Sequence, residues 1–285
     1  MPNTFASAIT TDFLQKGVIT PLQSRLAPLK AFTTQYEPDP VKPFATVQIK
    51  VAASGSTTNV DPTDFTANSG TTLNAAAVTM HQLSHPFSIS NKELNSGIEL
   101  RDLFELNVNK FSQTLMNRVL APVTSVNFTS APLFSAAAAF SVSDLDFLWA
   151  AIHKSKIKNV ILQGNYFVRV LNKPGFFQPT GTESGEAWKP FGWDFIGQND
   201  EWSGCEANTV GFACNPQAIG VVLGTPIQLP MTNLETRRLQ LPMLGAEVLM
   251  NTWFELSTRR TYCTFDCMLG TTLLDGTAGV LIKSA

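Results

Sequence analysis

The stretch that decides the reading runs from Ile89 to Ala121: ISNKELNSGIELRDLFELNVNKFSQTLMNRVLA. Its opening, Ser90-Asn91-Lys92-Glu93, has the S-x-x-E form of a capping box, in which hydroxyl and carboxylate each satisfy a backbone N–H that a helix start leaves unpaired. Ile89 and Leu94 stand at the two positions of a hydrophobic staple. Apolar residues then recur at Phe104, Val108, Phe111, Leu115 and Val119, spacings that stack on one face at the helical period until Pro122 stops the run. The spacing predicts a helix of about thirty residues, roughly 45 Å long at 1.5 Å per residue.

Upstream, Gly55 to Ala77 is poor in charge and rich in Thr, Ala, Gly and Ser. It holds too few large apolar residues, mainly Val60, Phe65 and Leu73, to build a core of its own. These three are the candidate contacts to a neighbouring subunit. Before the stretch, Phe44 to Val51 alternates, with Val47, Ile49 and Val51 on one side, and Val78 to Ser88 runs back towards the helix. The two read as strands of an elongated hairpin whose tip projects from the body.

Further out, Phe5 to Leu29 is a short amphipathic segment that Gly17 and Pro21 are expected to interrupt. Pro38, Pro40 and Pro43 then favour an extended, arm-like path. After the long helix, Asn127 to Ala139 is an irregular connection, and Ser143 is a plausible N-cap with Asp146 at the third helical position. Leu145, Leu148, Trp149 and Ile152 share a face of that helix. Lys158 to Gly164 reads as a short strand, with Asn165 capping Tyr166 to Leu171. Val210 to Cys214 reads as another, after which Asn215-Pro216 gives a cap and a proline at the first position of a helix to Leu223. Glu247 to Thr264 and Leu273 to Ile282 supply the closing strands, so the fold class is α+β.

Of 285 residues 15% are charged and 44% hydrophobic, with 20 Phe and a formal net charge of −2. Low charge with many aromatics is the composition of a surface that meets other protein. A stable, mildly hydrophobic enzyme is the alternative that composition leaves open. No run of about 18 apolar residues occurs, so no membrane span is expected. The first residues lack the order of a signal peptide, so intracellular synthesis is the expectation. Basic residues come in small groups such as Arg237-Arg238 and Arg259-Arg260, which is weak support for strong nucleic-acid binding.

Catalytic chemistry finds little support. His81 and His85 are four apart in a predicted strand without a third ligand, and Cys263 and Cys267 have the wrong spacing for a C-x-x-C pair. Cys205, Cys214, Cys263 and Cys267 read as buried free thiols. No G-x-S-x-G elbow or phosphate-cradling loop occurs, Gly181 to Gly185 and Gly270-Thr271-Thr272 lacking the Lys-Ser/Thr ending. Cys214 near His153 is the one nucleophile and base pairing that three dimensions could bring together. Asp144, Asp146, Asp200 and Glu201 are explained by caps and turns. No catalytic, cofactor or metal residue is assigned and no cofactor is expected.

This order of parts, over essentially the whole chain, resembles the major capsid protein of tailed bacteriophages, the Hong Kong 97 type fold. Gly211-Phe212-Ala213-Cys214-Asn215-Pro216-Gln217-Ala218-Ile219 looks like a strand-to-helix passage of such coat proteins, and Arg259-Arg260-Thr261-Tyr262 like their final core strands. The resemblance implies an N-terminal arm over residues 1–43, an extended loop over 44–88, and a spine helix with peripheral domain over 89–124. It further implies an axial domain over 125–241 and a return to the peripheral domain over 242–285. The expected protein is a structural subunit that self-assembles, as hexamers and pentamers, into an icosahedral head shell around double-stranded DNA contacted non-specifically. Its expected partners are a portal and scaffolding or cement proteins, and its expected place is the virion, after synthesis in the bacterial host cytoplasm. An encapsulin-like shell around a cargo enzyme and a soluble α+β hydrolase are the rival readings.

Overall fold

The computed structural model describes residues 11–52, 73–90, 100–152, 157–173, 190–227, 234–242 and 244–285. The chain begins with helix α1 (Thr11–Leu14), a π-helical turn (Gln15–Ile19), α2 (Thr20–Arg25) and a 3₁₀ turn (Ala27–Ala31). Leu14, Val18, Leu22, Leu26 and Leu29, spaced by four or three, are all buried in the main core. Gly17 and Pro21 do not interrupt this segment as the sequence suggested. Pro21 follows directly on the π-helical turn, where the Thr20 N–H reaches back five residues to the Gln15 carbonyl.

The long helix, α3 (Leu100–Leu120), buries Phe104, Val108, Phe111, Leu115 and Val119, the stripe read from the spacing. Ser90 is the last residue of a strand, and the rest of the expected capping box and Leu94 of the expected staple lie outside the described residues. Phe104 meets Phe13 edge-on at 5.3 Å and Phe87 at 5.2 Å, while Phe111 lies 5.8 Å from Phe265. These rings join the N-terminal segment, the helix and a sheet in one core.

That sheet contains β1 (Thr33–Val41), β4 (His81–Ser90), β9 (Ile219–Pro226), β10 (Glu235–Leu241), β11 (Ala246–Glu255) and β12 (Arg260–Leu273). Its hub is β12. One edge pairs with β4 over Arg260–Leu269, and the other pairs first with β11 and then with β9. β10 lies beyond β11, and β1 runs parallel to β9. The proline-rich segment is therefore an edge strand rather than a free arm, with a register break between Glu37 and Val41 where the prolines fall.

A five-stranded sheet is ordered β5 (Leu133–Phe134), β13 (Gly279–Lys283), β8 (Thr209–Cys214), β6 (Asn159–Leu162) and β7 (Phe195–Gln198). Its strands alternate between two cores. Ile161, Phe212 and Leu281 face the main core, while Val160, Leu162, Ala213, Val280 and Ile282 face a second one with α4 (Val142–Ala151) and α5 (Gly164–Leu171). A third sheet is the antiparallel pair β2 (Thr46–Ala52) and β3 (Leu73–Thr79). Layers of helix on mixed sheets make the protein α+β, as the sequence indicated.

Five local readings are corrected. Residues 219–223 form strand β9 and not a helix: Ile219, Val221 and Val222 are β-branched and buried, Val221 and Val222 are paired on both edges and Ile219 with Leu273, and Asn215 Oδ1 accepts the Gln217 N–H at 2.8 Å in a turn. Helix α4 is capped by Ser141, whose N–H donates to Asp144 Oδ2 at 2.8 Å, two residues before the expected cap. Helix α5 starts at Gly164 after Gln163, not at Asn165, because Asp200 Oδ1 takes the Gly164 N–H at 2.8 Å. Trp149 is exposed, its ring lying 3.6 Å from Lys158 Nζ, which also donates to the Trp149 carbonyl. Among the closing strands, β13 joins the smaller sheet instead of returning to the larger one.

Candidate assembly surface

The candidate surface is built on the β2–β3 hairpin. Seven residue pairs zip it from Thr46↔Thr79 to Ala52↔Leu73. At its base the ladder continues, with the Phe44 N–H donating to the Met80 carbonyl at 2.7 Å and the Met80 N–H to the Ala45 carbonyl at 2.9 Å. Ile49, Val78 and Met80 are buried in a small core with Val41, Val222 and Met268. The base of the hairpin is thereby seated on one face of the large sheet.

Two glycines make that seat. A Cβ on Gly270 would lie 2.4 Å from Val78 Cγ1, and one on Gly220 would lie 2.5 Å from Ile49 Cδ1. A glycine inside a strand marks close approach of another element, and that pattern was present in the sequence of both strands. The rest of the hairpin is open: Gln48, Lys50, Ala75 and Ala77 are exposed. A two-stranded ribbon has little stability of its own, so this one depends on its seat and on whatever lies against its open part.

Of the candidate contact residues, Val60 and Phe65 lie outside the described residues. Leu73 is the first residue of β3, opposite Ala52, and its side chain lies outside the described set. Beside the hairpin base stands a residue that sequence reasoning did not single out. Phe44 has a positive φ of 64°, is 75% exposed, and sets its ring edge-on to His81 at 5.6 Å.

The groups weighed for chemistry are engaged elsewhere. His85 Nε2 lies 3.0 Å from Asn107 Oδ1 on α3. Cys263 and Cys267 share the face of β12 that meets the main core, and burial pushes each thiol up to about 12. Burial also raises Cys214, and His153 lies outside the described residues. The cleft of about 590 Å³ between α2 and β7 contains Asp200 and Glu201. Asp200 accepts from Gly164 and Gln198, and Glu201 from Asn117 and Ser203. Among the described residues, no three His, Cys, Asp or Glu stand close enough to hold a metal ion, and no helix is long and apolar enough to cross a membrane.

Two polar clusters lock the fold. On the face of the large sheet away from α3, Asp266 accepts from Asn251 Nδ2 at 2.6 Å, from Thr264 Oγ1 at 2.7 Å and from Ser84, while Thr236 Oγ1 donates to Asn251 Oδ1 at 2.7 Å. The chain of contacts crosses four strands. Near the end of α3, Glu206 receives Lys283 Nζ at 2.6 Å and the Ser125 N–H at 2.5 Å. The Lys283 bond, followed by those from Ser125, holds its carboxyl down at about 2.

No protein-family model matches the chain, and no curated protein matches it. Among solved structures, the capsid of Ralstonia phage GP4 aligns with a TM-score of 0.54 and 9% identity, over 92% of this chain and 89% of that one. A virus-like particle from Pyrococcus furiosus aligns with a TM-score of 0.53 and 11% identity, over 96% and 99%. The likeness is one of fold, it extends over nearly the whole chain, and it is to subunits of a capsid and of a virus-like particle.

Proposed function

We propose that the chain is a shell-forming coat subunit, the major capsid protein of a tailed-phage head with the Hong Kong 97 type arrangement. The observation that carries this reading is the fold likeness, across more than nine tenths of the chain, to the phage GP4 capsid subunit. In this reading residues 1–43 are the N-terminal arm, 44–88 the extended loop, 89–124 the spine helix and peripheral domain, 125–241 the axial domain, and 242–285 the return, apart from β13, which joins the smaller sheet. The arm departs from its expected role along part of its length, since residues 14–32 pack into the chain's own core.

The mechanism is mechanical and not enzymatic. The seated hairpin base holds the direction of the tip, so that Val60, Phe65 and Leu73 lie across a neighbouring subunit. Contacts that are individually weak then add in a closed lattice of hexamers and pentamers. Double-stranded DNA is enclosed and touched non-specifically, a portal and scaffolding or cement proteins complete the particle, and assembly in the bacterial cytoplasm leads to the virion. The likeness to a virus-like particle from Pyrococcus furiosus supports a shell whatever it encloses, and a shell around a protein cargo is the second reading. Electron microscopy of the purified chain tests both. Closed particles support the shell, their nucleic-acid or protein content separates the two readings, and a protein that stays monomeric under all assembly conditions refutes them.

A further inference from the structure

Where α3 ends the large sheet runs on, and between them lies a cavity of about 320 Å³. Its walls carry Arg118 from the last turn of α3, Thr79 from β3, His81 and Gln82 from β4, and Thr271 from β12, over an apolar floor that includes Leu269. Its geometry is held by the ladder, in which His81 is opposite Leu269, and by the buried Met80 between Thr79 and His81. Among the described residues no carboxylate lines the cavity and none pairs with Arg118.

The sign of the charge follows from magnitudes. The guanidinium contributes a full and permanent positive charge. Against it stands the carbonyl end of α3, equivalent to about half a negative charge. That end is partly answered already, since the Leu120 carbonyl accepts from Val123 at 2.8 Å and from Cys205 Sγ at 3.4 Å. The remainder is a positive pocket with hydroxyl and imidazole groups around it. A volume at the lower end of ligand-sized sites suits a small anion.

We propose that this cavity binds a phosphate group, gripped by the Arg118 guanidinium and completed by His81 and the hydroxyls of Thr79 and Thr271. The fork of N–H donors on arginine matches tetrahedral oxyanions, which is why this residue type serves such sites. Free inorganic phosphate and a nucleic-acid backbone offer the same group. A bound phosphate ties the end of α3 to the base of the hairpin, and this holds whether or not the chain forms a shell.

The test uses the full chain. The ³¹P line of inorganic phosphate is followed on adding protein, and the Tm is measured as sodium phosphate replaces sodium chloride at fixed pH and ionic strength. The wild-type chain should broaden the line and melt higher in phosphate. Arg118→Gln, at an exposed position that leaves the circular dichroism spectrum unchanged, should bind at least tenfold more weakly and lose the Tm shift. Thr271→Val should fall between the two. A short duplex oligonucleotide that displaces phosphate in an Arg118-dependent way assigns the site to a nucleic-acid backbone, and failure to displace it assigns the site to free phosphate. The proposal is overturned if the wild-type chain does not broaden the line at millimolar phosphate, or if both variants bind as tightly as wild type.

Discussion

Gly270 lies so close beneath Val78 that a methyl group on it would sit 2.4 Å from Val78 Cγ1 and 2.9 Å from the Thr79 carbonyl oxygen. The hairpin is thus seated on backbone, and its distance from the sheet is set by the absence of a side chain. Gly270→Ala should lift the hairpin base and destabilise the fold by about 1–3 kcal/mol, the usual cost of overpacking. Urea unfolding measures it, and a variant of unchanged stability would mean that the seat gives way without cost.

Replacing residues 54–73 by an Asn-Gly turn should leave a folded subunit, because such turns close hairpins without strain and the seat lies at the other end. Circular dichroism should be near normal while particles no longer form. Shells of ordinary size and stability from this variant would remove the tip from the assembly mechanism.

Phe111 is fully buried against Phe265. Phe111→Ala should cost about 3–5 kcal/mol, read from denaturant midpoints. An unchanged midpoint would show that the helix does not hold the core through this face.

Asp266→Ala leaves Asn251, Thr264 and Ser84 with donors that have lost their acceptor. The expected loss is about 3 kcal/mol, from buried donors at roughly 1–3 kcal/mol each. Hydrogen exchange should rise first in β4 and β11, which the network ties to β12.

Glu206 gives a pH dependence of known sign. Its folded-state pKa, about 2, lies below the ordinary 4.5, so its stabilising share is present above that ordinary value and is lost as the pH falls from there towards 2. Glu206→Gln should flatten stability over this window, and because the Lys283 pair is partly exposed, added salt should weaken the effect. The same acid slope in wild type and variant would assign it to other carboxylates.

The sequence made the long helix legible because one face of it repeats at a single period over many turns, and Phe104, Val108, Phe111, Leu115 and Val119 are all buried. It misread 219–223 because Asn215-Pro216 is a strong local helix signal, while burial of Val221 and Val222 between β1 and β12 is decided by partners far along the chain. Trp149 was misplaced because its position depends on Lys158, nine residues away, which no periodicity includes. The hairpin seat was half legible: both glycines interrupt apolar strands, but nothing local says which element approaches them. The Asp266 network was invisible, since its members come from four strands and pair only once the sheet exists.

The central place of β12 has a consequence for how the protein is made. Strands β1, β4, β9, β10 and β11 all emerge from the ribosome before it, and at about 5–20 residues per second roughly 10–30 s pass between the last residue of β4 and the first of β12. During that wait the edge of β4, joined only late in it by that of β9, has no partner from this sheet's hub, which leaves pairing groups open to the wrong chain. A sheet closed by so late and so distant a strand folds slowly, and chaperone supply during synthesis, more than the stability of the finished subunit, should limit the yield of native protein.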